Sequence, residues 1–253
     1  DGRFWDAVVL TAANERQALV YARQLDGLHA RGQLPGSRDR YVVFPDPPGP
    51  RVGSGGATLN VMLRLQASVG HAWASRRILL LHAGGYSERS PAHGTLGKAF
   101  GQLPMDAAGV GVPATILEAQ LVYLQNLPAA LPPGVFVSSA DVVLQMARVP
   151  PMDERVRERV ADGILALGHA SPIEIGVGHG VFACDRTELT EFVRRHAAAD
   201  ANDANDANDA SLRSGTLACL RCLQKPSEAA QRDAGAVMPS PAAMGLPGGG
   251  GAE

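Results

Sequence analysis

Leu80-Leu81-His82-Ala83-Gly84-Gly85-Tyr86-Ser87-Glu88-Arg89-Ser90-Pro91, with Gly97-Lys98 shortly after it, decides how this chain is read. The apolar run from Ile78 to Leu81 predicts a buried strand. It feeds a tight Gly-Gly turn that carries a hydroxyl and an arginine, and a lysine follows. Glycine can bring its N–H against a phosphate oxygen with no Cβ in the way, and consecutive N–H groups in such a turn form an anion-binding nest. Arg89 would add a bidentate fork and Lys98 a point charge. A Gly-Gly turn after a strand is also ordinary loop chemistry, so the rest of the chain has to decide between the two.

Upstream, Asp6 to Thr11 predicts a buried strand, and Glu15 to Ala30 a helix with Ala18, Leu19, Ala22, Leu25 and Leu28 on one face and Asn14 as its cap. Tyr41 to Phe44 predicts a second strand, stopped by Pro45-Asp46-Pro47-Pro48-Gly49-Pro50. A second glycine loop, Gly53-Ser54-Gly55-Gly56-Ala57-Thr58, runs into a helix striped by Leu59, Met62, Leu63 and Leu65. Downstream, Ala114 to Leu127 predicts a helix, and Val135 to Val137 a strand ending at Ser138-Ser139-Ala140-Asp141. Ile173 to Val177 and Val181 to Ala183 read as two more strands, separated by Gly178-His179-Gly180. Strands alternating with helices predict an α/β fold: a mostly parallel sheet with helices on both faces and ligand groups at the carboxyl ends of its strands. Both glycine loops fall at such ends.

The expected organisation is a main domain over 1–197, a low-complexity insertion over 198–211, a continuation over 212–230 and a disordered tail over 231–253. The insertion is placed on the Ala-Asn-Asp repeat of 201–209, which has nothing to bury, and the tail on the glycines from Gly248 to Gly251. At 253 residues and 45% hydrophobic the chain is long and apolar enough to bury a core. A net charge of −2 without a basic stripe argues against a nucleic-acid partner. No apolar run approaches the roughly 20 residues of a membrane span. Of the cysteines, Cys184, Cys219 and Cys222, the last two have C-x-x-C spacing, but neither a zinc nor a thioredoxin-like context surrounds them. They read as reduced thiols of a cytoplasmic protein.

The first glycine loop is not a P-loop, since no lysine follows it, and it matches the dinucleotide fingerprint at Gly53 and Gly55 but not at Thr58. A helix entered through Gly-Ser-Gly-Gly still offers free N–H groups and a positive dipole end to an anion, although a plain strand-to-helix turn would look the same. Asp141, just past a strand, suits Mg²⁺, which takes few carboxylates and fills its shell with water and phosphate; a helix N-cap is the alternative. Lys225 before Pro226 is ambiguous between a ligand contact and a solvated loop lysine. His82 and His93 read as satisfied polar residues, and His179, between two glycines, is more suggestive.

Seven stretches, in order, are similar to the GDP-L-fucose pyrophosphorylase domain family, found also in the N-terminal part of L-fucokinase and of bifunctional plant fucokinase/pyrophosphorylases. They are Trp5 to Ala13, Pro45-Asp46-Pro47, Arg51 to Asn60, Leu80 to Arg89, Gly97-Lys98-Ala99-Phe100, His179-Gly180-Val181 and Leu223-Gln224-Lys225-Pro226. The resemblance implies a sugar nucleotidyltransferase with a Rossmann-like GT-A sheet, joining GTP and L-fucose 1-phosphate into GDP-L-fucose and pyrophosphate in the cytoplasm. It implies that Gly84, Gly85, Ser87, Arg89 and Lys98 form the triphosphate loop, with Arg89 and Lys98 stabilising charge during transfer. It further implies that Gly53, Ser54, Gly55, Gly56, Ala57 and Thr58 line the nucleotide, that Asp141 holds Mg²⁺, and that Lys225, with His179 and Gly180, contacts the sugar phosphate.

The chemistry agrees with that implication. A sugar 1-phosphate is already a nucleophile, so alignment and charge neutralisation suffice, and no nucleophile–His–Asp set is needed. Where relatives often have glycine before the aspartate, this chain has Ala140. The family's later half has no counterpart here, which leads us to expect a C-terminally truncated domain, with a fucokinase module as a possible fused partner. A noncatalytic nucleotide- or sugar-binding domain of a fucokinase, or an inactive fragment, is the alternative reading.

Overall fold

The computed structural model describes residues 4–85, 91–106, 111–143, 154–160, 163–202, 217–239 and 244. The chain divides into two compact units, Asp1–Pro151 and Met152–Glu253. In the first unit the order is β1 (Ala7–Ala12), α1 (Glu15–Ala30), β2 (Tyr41–Pro45), α2 (Gly53–Val69), β3 (Arg77–His82), α3 (Pro91–Leu96), β4 (Gln102–Asp106), β5 (Pro113–Thr115), α4 (Ile116–Tyr123), α5 (Leu127–Ala130) and β6 (Gly134–Ser139).

Four strands form one parallel sheet in the order β2-β1-β3-β6. Apolar residues fill β1 and β3 without alternation because both sheet faces are covered. Val8, Leu10, Leu79 and Leu81 pack on one face with Ala18, Tyr21, Leu25 and Leu28 of α1 and Leu117 and Leu121 of α4. Val9, Ile78 and Leu80 pack on the other with Val61 and Leu65 of α2. The expected α/β architecture, a parallel sheet with helices on both faces, is therefore what the first unit has. After β2 the chain returns to the opposite side of β1 to form β3, so the strand order reverses between β1 and β3. In open α/β sheets the crevice at such a reversal is where ligands bind.

Several expectations change. The buried stripe of α1 is Ala18, Tyr21, Leu25 and Leu28, and Leu19 is exposed. In α2 it is Ala57, Val61 and Leu65, while Leu59 and Leu63 face solvent. A core-facing stripe must follow steps of three and four residues, and Leu19, Leu59 and Leu63 fall outside that phase. Gly53 to Thr58 is no loop: it forms the first turns of α2. The predicted helix 114–127 begins as the short strand β5, paired with β4, and helix starts only at Ile116, behind a Thr115–Glu118 capping box.

The second unit contains α6 (Glu154–Val160), α7 (Ile173–Gly176), β7 (Gly180–Cys184), α8 (Arg186–Asn202), β8 (Cys219–Gln224) and α9 (Glu228–Asp233). The predicted strand over Ile173 to Val177 is instead the single helical turn α7, which Pro172 opens and Gly178 and His179 close through backbone hydrogen bonds to Ile175 and Gly176. A short apolar run cannot by itself distinguish strand from helix. β7 forms as predicted, but it pairs with β8 in an antiparallel ladder separate from the parallel sheet. α8 carries regular structure to Asn202, and 203–216 lie outside the described residues. α9 continues past position 230, with Gln231 buried and its Nε2 donating to Ile173 O and Pro226 O.

Candidate functional site

The site is built where the four parallel strands end together. Ala12 pairs with Pro45, Leu10 with Leu81 and His82 with Ser139, which sets Asp46, Asn14, Ala83-Gly84-Gly85 and Ala140-Asp141 along one sheet edge. Asp46 N–H to Ala12 O (2.7 Å) and Ala140 N–H to His82 O (3.2 Å) extend the ladder one step beyond the strands.

The Gly-Gly turn is held from below. Thr11 Oγ1 accepts from Ala83 N–H (3.1 Å) and Gly84 N–H (3.2 Å), while Tyr21 Oη donates to Ala83 O (2.9 Å). Gln17 ties the same turn to the end of β1, accepting from Ala13 N–H and donating to Gly85 O. Position 84 favours glycine, because a Cβ there would lie 3.1 Å from the Ala12 and Ala13 backbone, a tighter approach than most Cβ atoms make. Gly85 has φ +92°, in the left-handed region that glycine adopts freely. The nest is thus smaller than the sequence suggested: the Gly84 N–H is spent on Thr11, leaving that of Gly85 for a ligand. Ser87 and Arg89 lie outside the described residues.

Lys98 starts a short 3-10 turn, Lys98–Phe100, directly after Gly97. Gly97 has φ +90°, and a Cβ on it would collide with the Tyr21 ring. Tyr21 therefore seats both the Gly-Gly turn and the backbone that carries Lys98. Lys98 Nζ lies 3.1 Å from Asp141 Oδ2, and Ser139 Oγ donates to Asp141 Oδ1. Burial pushes the Asp141 carboxyl up, but the Ser139 hydroxyl and the Lys98 ammonium outweigh it and hold the group below the usual carboxylate range. Gln120, buried on α4, donates through Nε2 to Ser139 O and Val142 O, gripping the turn on both sides of Asp141.

On the α2 side, Thr58 Oγ1 donates to Ser54 O (3.0 Å) and lies 3.0 Å from His82 Nε2, so His82 presents Nε2–H to that oxygen. Burial, opposed by the Asp46 charge and aided by the Lys98 charge, lowers the His82 pKa and keeps the ring neutral. Burial raises the Asp46 pKa, with His82 opposing, and Asp46 Oδ1 is buried without a hydrogen-bond partner. Val52 caps α2 with no side-chain hydrogen bond, so N–H groups of the exposed first turn from Gly53 to Gly55 stay available to an anion. Gly56 is required by packing, since a Cβ there would lie 2.7 Å from Val52 Cβ.

His179, Gly180 and Lys225 belong to the second unit, where the β7–β8 ladder brings them together: Lys225 N–H donates to His179 O (2.9 Å). His179 is exposed, with Nδ1 donating to Ile175 O (2.8 Å). Lys225 is exposed and has φ +47°, which no other non-glycine among the described residues shares as a positive value. A left-handed lysine costs on the order of 1 kcal/mol or more and marks a place worth testing for function.

Sequence reasoning missed Thr11, Gln17, Tyr21 and Gln120, none of which carries a motif. The available signals were a threonine closing an apolar strand and a tyrosine in the buried phase of α1. A cavity of about 360 Å³, lined by Arg16, Gln17, Val20, Tyr21, Gly94, Thr95 and Gly97, opens beside that scaffold.

Chemically, the carboxyl ends of the strands offer a fixed ammonium, an ionised carboxylate and backbone N–H groups along one sheet edge. That set suits a polyanion and a hard cation. Among the described residues no three potential ligands gather for a metal, so an ion held by Asp141 would complete its shell with water and phosphate, as Mg²⁺ does.

Comparison with known proteins bears on the family of the chain. The fucose pyrophosphorylase domain family matches residues 70–246. The chain is 38% identical to the fucose-1-phosphate guanylyltransferases of Mus musculus over 182 residues and of Homo sapiens over 185, covering 72% and 73% of this chain. It is 29% identical over 208 residues to the bifunctional fucokinase/GDP-fucose pyrophosphorylase of Arabidopsis thaliana, covering 19% of that protein. The chain spans 29% of the length of each of the two mammalian relatives. No solved structure matches. On the family match and the two mammalian identities, the chain belongs to the fucose pyrophosphorylase domain family.

Proposed function

We propose that the chain forms the nucleotide-handling part of a fucose-1-phosphate guanylyltransferase, which joins GTP and L-fucose 1-phosphate into GDP-L-fucose and pyrophosphate. The observation that carries this reading is the Lys98–Asp141 pair beside the Thr11-braced Gly-Gly turn, at the reversal of strand order. A switch-point crevice of this kind is also what a GT-A sheet would use.

The sugar phosphate oxygen attacks the α-phosphorus of GTP, and the α–β bridging bond breaks to release pyrophosphate. No general base is required, so the protein aligns two anions and offsets their charge. Lys98 and Gly85 N–H approach the triphosphate, with Ser87 and Arg89 assigned to the same loop, and the α2 first turn from Gly53 to Thr58 borders the nucleotide. Asp141 would hold Mg²⁺, which supplies charge neutralisation at the phosphates. Lys225, with His179 and Gly180, is assigned to the sugar phosphate. A fused fucokinase, as the Arabidopsis relative's name describes, would supply that sugar phosphate directly. GTP supply argues for a cytoplasmic setting.

The test incubates the chain with GTP, MgCl₂ and L-fucose 1-phosphate, following pyrophosphate release, with GTP affinity measured in parallel. Turnover supports the full reading. Binding without turnover, abolished by Asp141→Asn, supports a nucleotide-binding part only. A chain that neither binds GTP nor releases pyrophosphate sinks the proposal.

A further inference from the structure

The two-stranded sheet of the second unit carries all three cysteines of the chain, each a free thiol. Cys184 ends β7, Cys219 opens β8, and Cys222 follows three residues along β8. Two backbone hydrogen bonds fix the character of each rung: Lys225 N–H donates to His179 O, and Asp185 N–H donates to Ala218 O, each at 2.9 Å. Hydrogen-bonded and non-hydrogen-bonded pairs alternate along an antiparallel ladder. Counting inward from both ends, with the register shift beside Ala183 included, the Cys184–Cys219 pair falls on a non-hydrogen-bonded rung. Regular rungs of that kind hold their Cα atoms about 4.5 Å apart, inside the roughly 4.4–6.8 Å window that a disulfide spans, and at this one the register shift inserts Leu220 on the β8 side, leaving Cys184 and Cys219 as direct partners. The C-x-x-C pair does not meet that condition, since three residues of extended strand put Cys219 and Cys222 about 10 Å apart. Cys222 faces Phe182 across the ladder. Access is uneven: Cys219 is exposed and Cys184 half-buried.

We propose that Cys184 and Cys219 are a reversible redox couple, closing to a cross-strand disulfide with a low-molecular-weight disulfide such as oxidised glutathione as the oxidant. The Cys219 thiolate attacks one glutathione sulfur, forming a mixed disulfide and expelling one glutathione thiolate. Cys184 then gives its proton to solvent and attacks the Cys219 sulfur, expelling the second. The two protein thiols together lose two electrons, and one glutathione disulfide becomes two glutathione thiols. Burial, with the Cys219 thiol and Glu188 carboxylate alongside, pushes the Cys184 thiol up. Cys184 therefore rests as the thiol at neutral pH, and closure speeds up as the pH rises. The bond closes the connection 185–218, which includes α8, and fastens the end of the ladder opposite His179 and Lys225. A transient couple of this kind is the form in which disulfides occur in reducing compartments.

The test equilibrates the full chain in oxidised and reduced glutathione, traps thiols by alkylation and maps peptides without reduction. The expected product joins the Cys184 and Cys219 peptides, lighter by two hydrogens than the two free thiols, leaves Cys222 alkylated, and reopens with excess reduced glutathione. Cys184→Ser should stop at a glutathione adduct on Cys219, and Cys222→Ser should leave the bridge unchanged. A Cys219–Cys222 bridge overturns the proposal, as does a wild-type chain that yields only glutathione adducts or none. Circular dichroism of each variant separates misfolding from lost pairing.

Discussion

Thr11 is the least conspicuous residue of the sheet edge, yet two backbone donors depend on it. Its hydroxyl accepts from Ala83 and Gly84, and no other acceptor reaches those N–H groups among the described residues. Thr11→Val keeps the shape and orphans both donors, so it should destabilise the chain by about 2–4 kcal/mol in urea titration, with Thr11→Ser recovering most of that. Equal midpoints for Thr11→Val and the parent would contradict the account. From sequence the Gly-Gly turn was legible as an anion nest, but its donors' local partner was not, because a hydrogen bond between β1 and β3 leaves no trace in either segment alone. Lys98 was legible as a charge directly after a glycine and Asp141 as a carboxylate just past a strand, and only the fold brings them to 3.1 Å. Removing Lys98 leaves burial as the largest influence on Asp141, so its carboxyl moves up. A carboxyl held below its unfolded value stabilises the fold above that value and loses the contribution as pH falls through the folded pKa. Lys98→Met should therefore begin acid unfolding at higher pH than the parent, and should cut pyrophosphate release about 10²-fold. An unchanged acid limb would show that the ion pair does not form in solution.

At the level of elements, apolar runs located the strands of the parallel sheet but misread Ile173 to Val177, a helical turn, as a strand. β1, β2, β3 and β6 stand where apolar runs predicted them, since a strand covered on both faces needs no alternation to be recognised. The predicted stripe of α1 held at Ala18, Leu25 and Leu28, with Tyr21 buried and Leu19 exposed; in α2, which already starts at Gly53, Ala57 and Val61 join the predicted Leu65 in the buried phase while Leu59 and Leu63 stay outside it. Small and amphipathic residues won those positions because each helix lies close against the sheet. α4 shows how an element can serve the site without touching a ligand. Its buried Gln120 spans Ser139 O and Val142 O and so fixes the course of the chain through Asp141. Gln120→Leu removes both donors from a buried turn and should cost about 1–3 kcal/mol. It should also weaken Mg²⁺-dependent GTP binding more than Mg²⁺-free binding; equal weakening would place Gln120 in general packing instead.

For the whole chain, the consequence of sheet order is felt at its margins. In β2-β1-β3-β6 the central strands β1 and β3 are sealed by helices, while β6 is a terminal strand whose Val137 is 45% exposed. Val142 and Val143, just beyond its end, are also exposed. An open, apolar parallel edge is a template for another strand, and proteins usually cover it or charge it. Studied alone, the chain should self-associate through β6, with sedimentation coefficients that rise with concentration. Val137→Lys places a charge on the half-exposed edge without entering either core cluster, so it should suppress that association and leave the unfolding midpoint within about 0.5 kcal/mol of the parent. Association that survives Val137→Lys would have to run through another surface, and the exposed Leu59 and Leu63 of α2, on the far side of the helix from the sheet, would be the next to change.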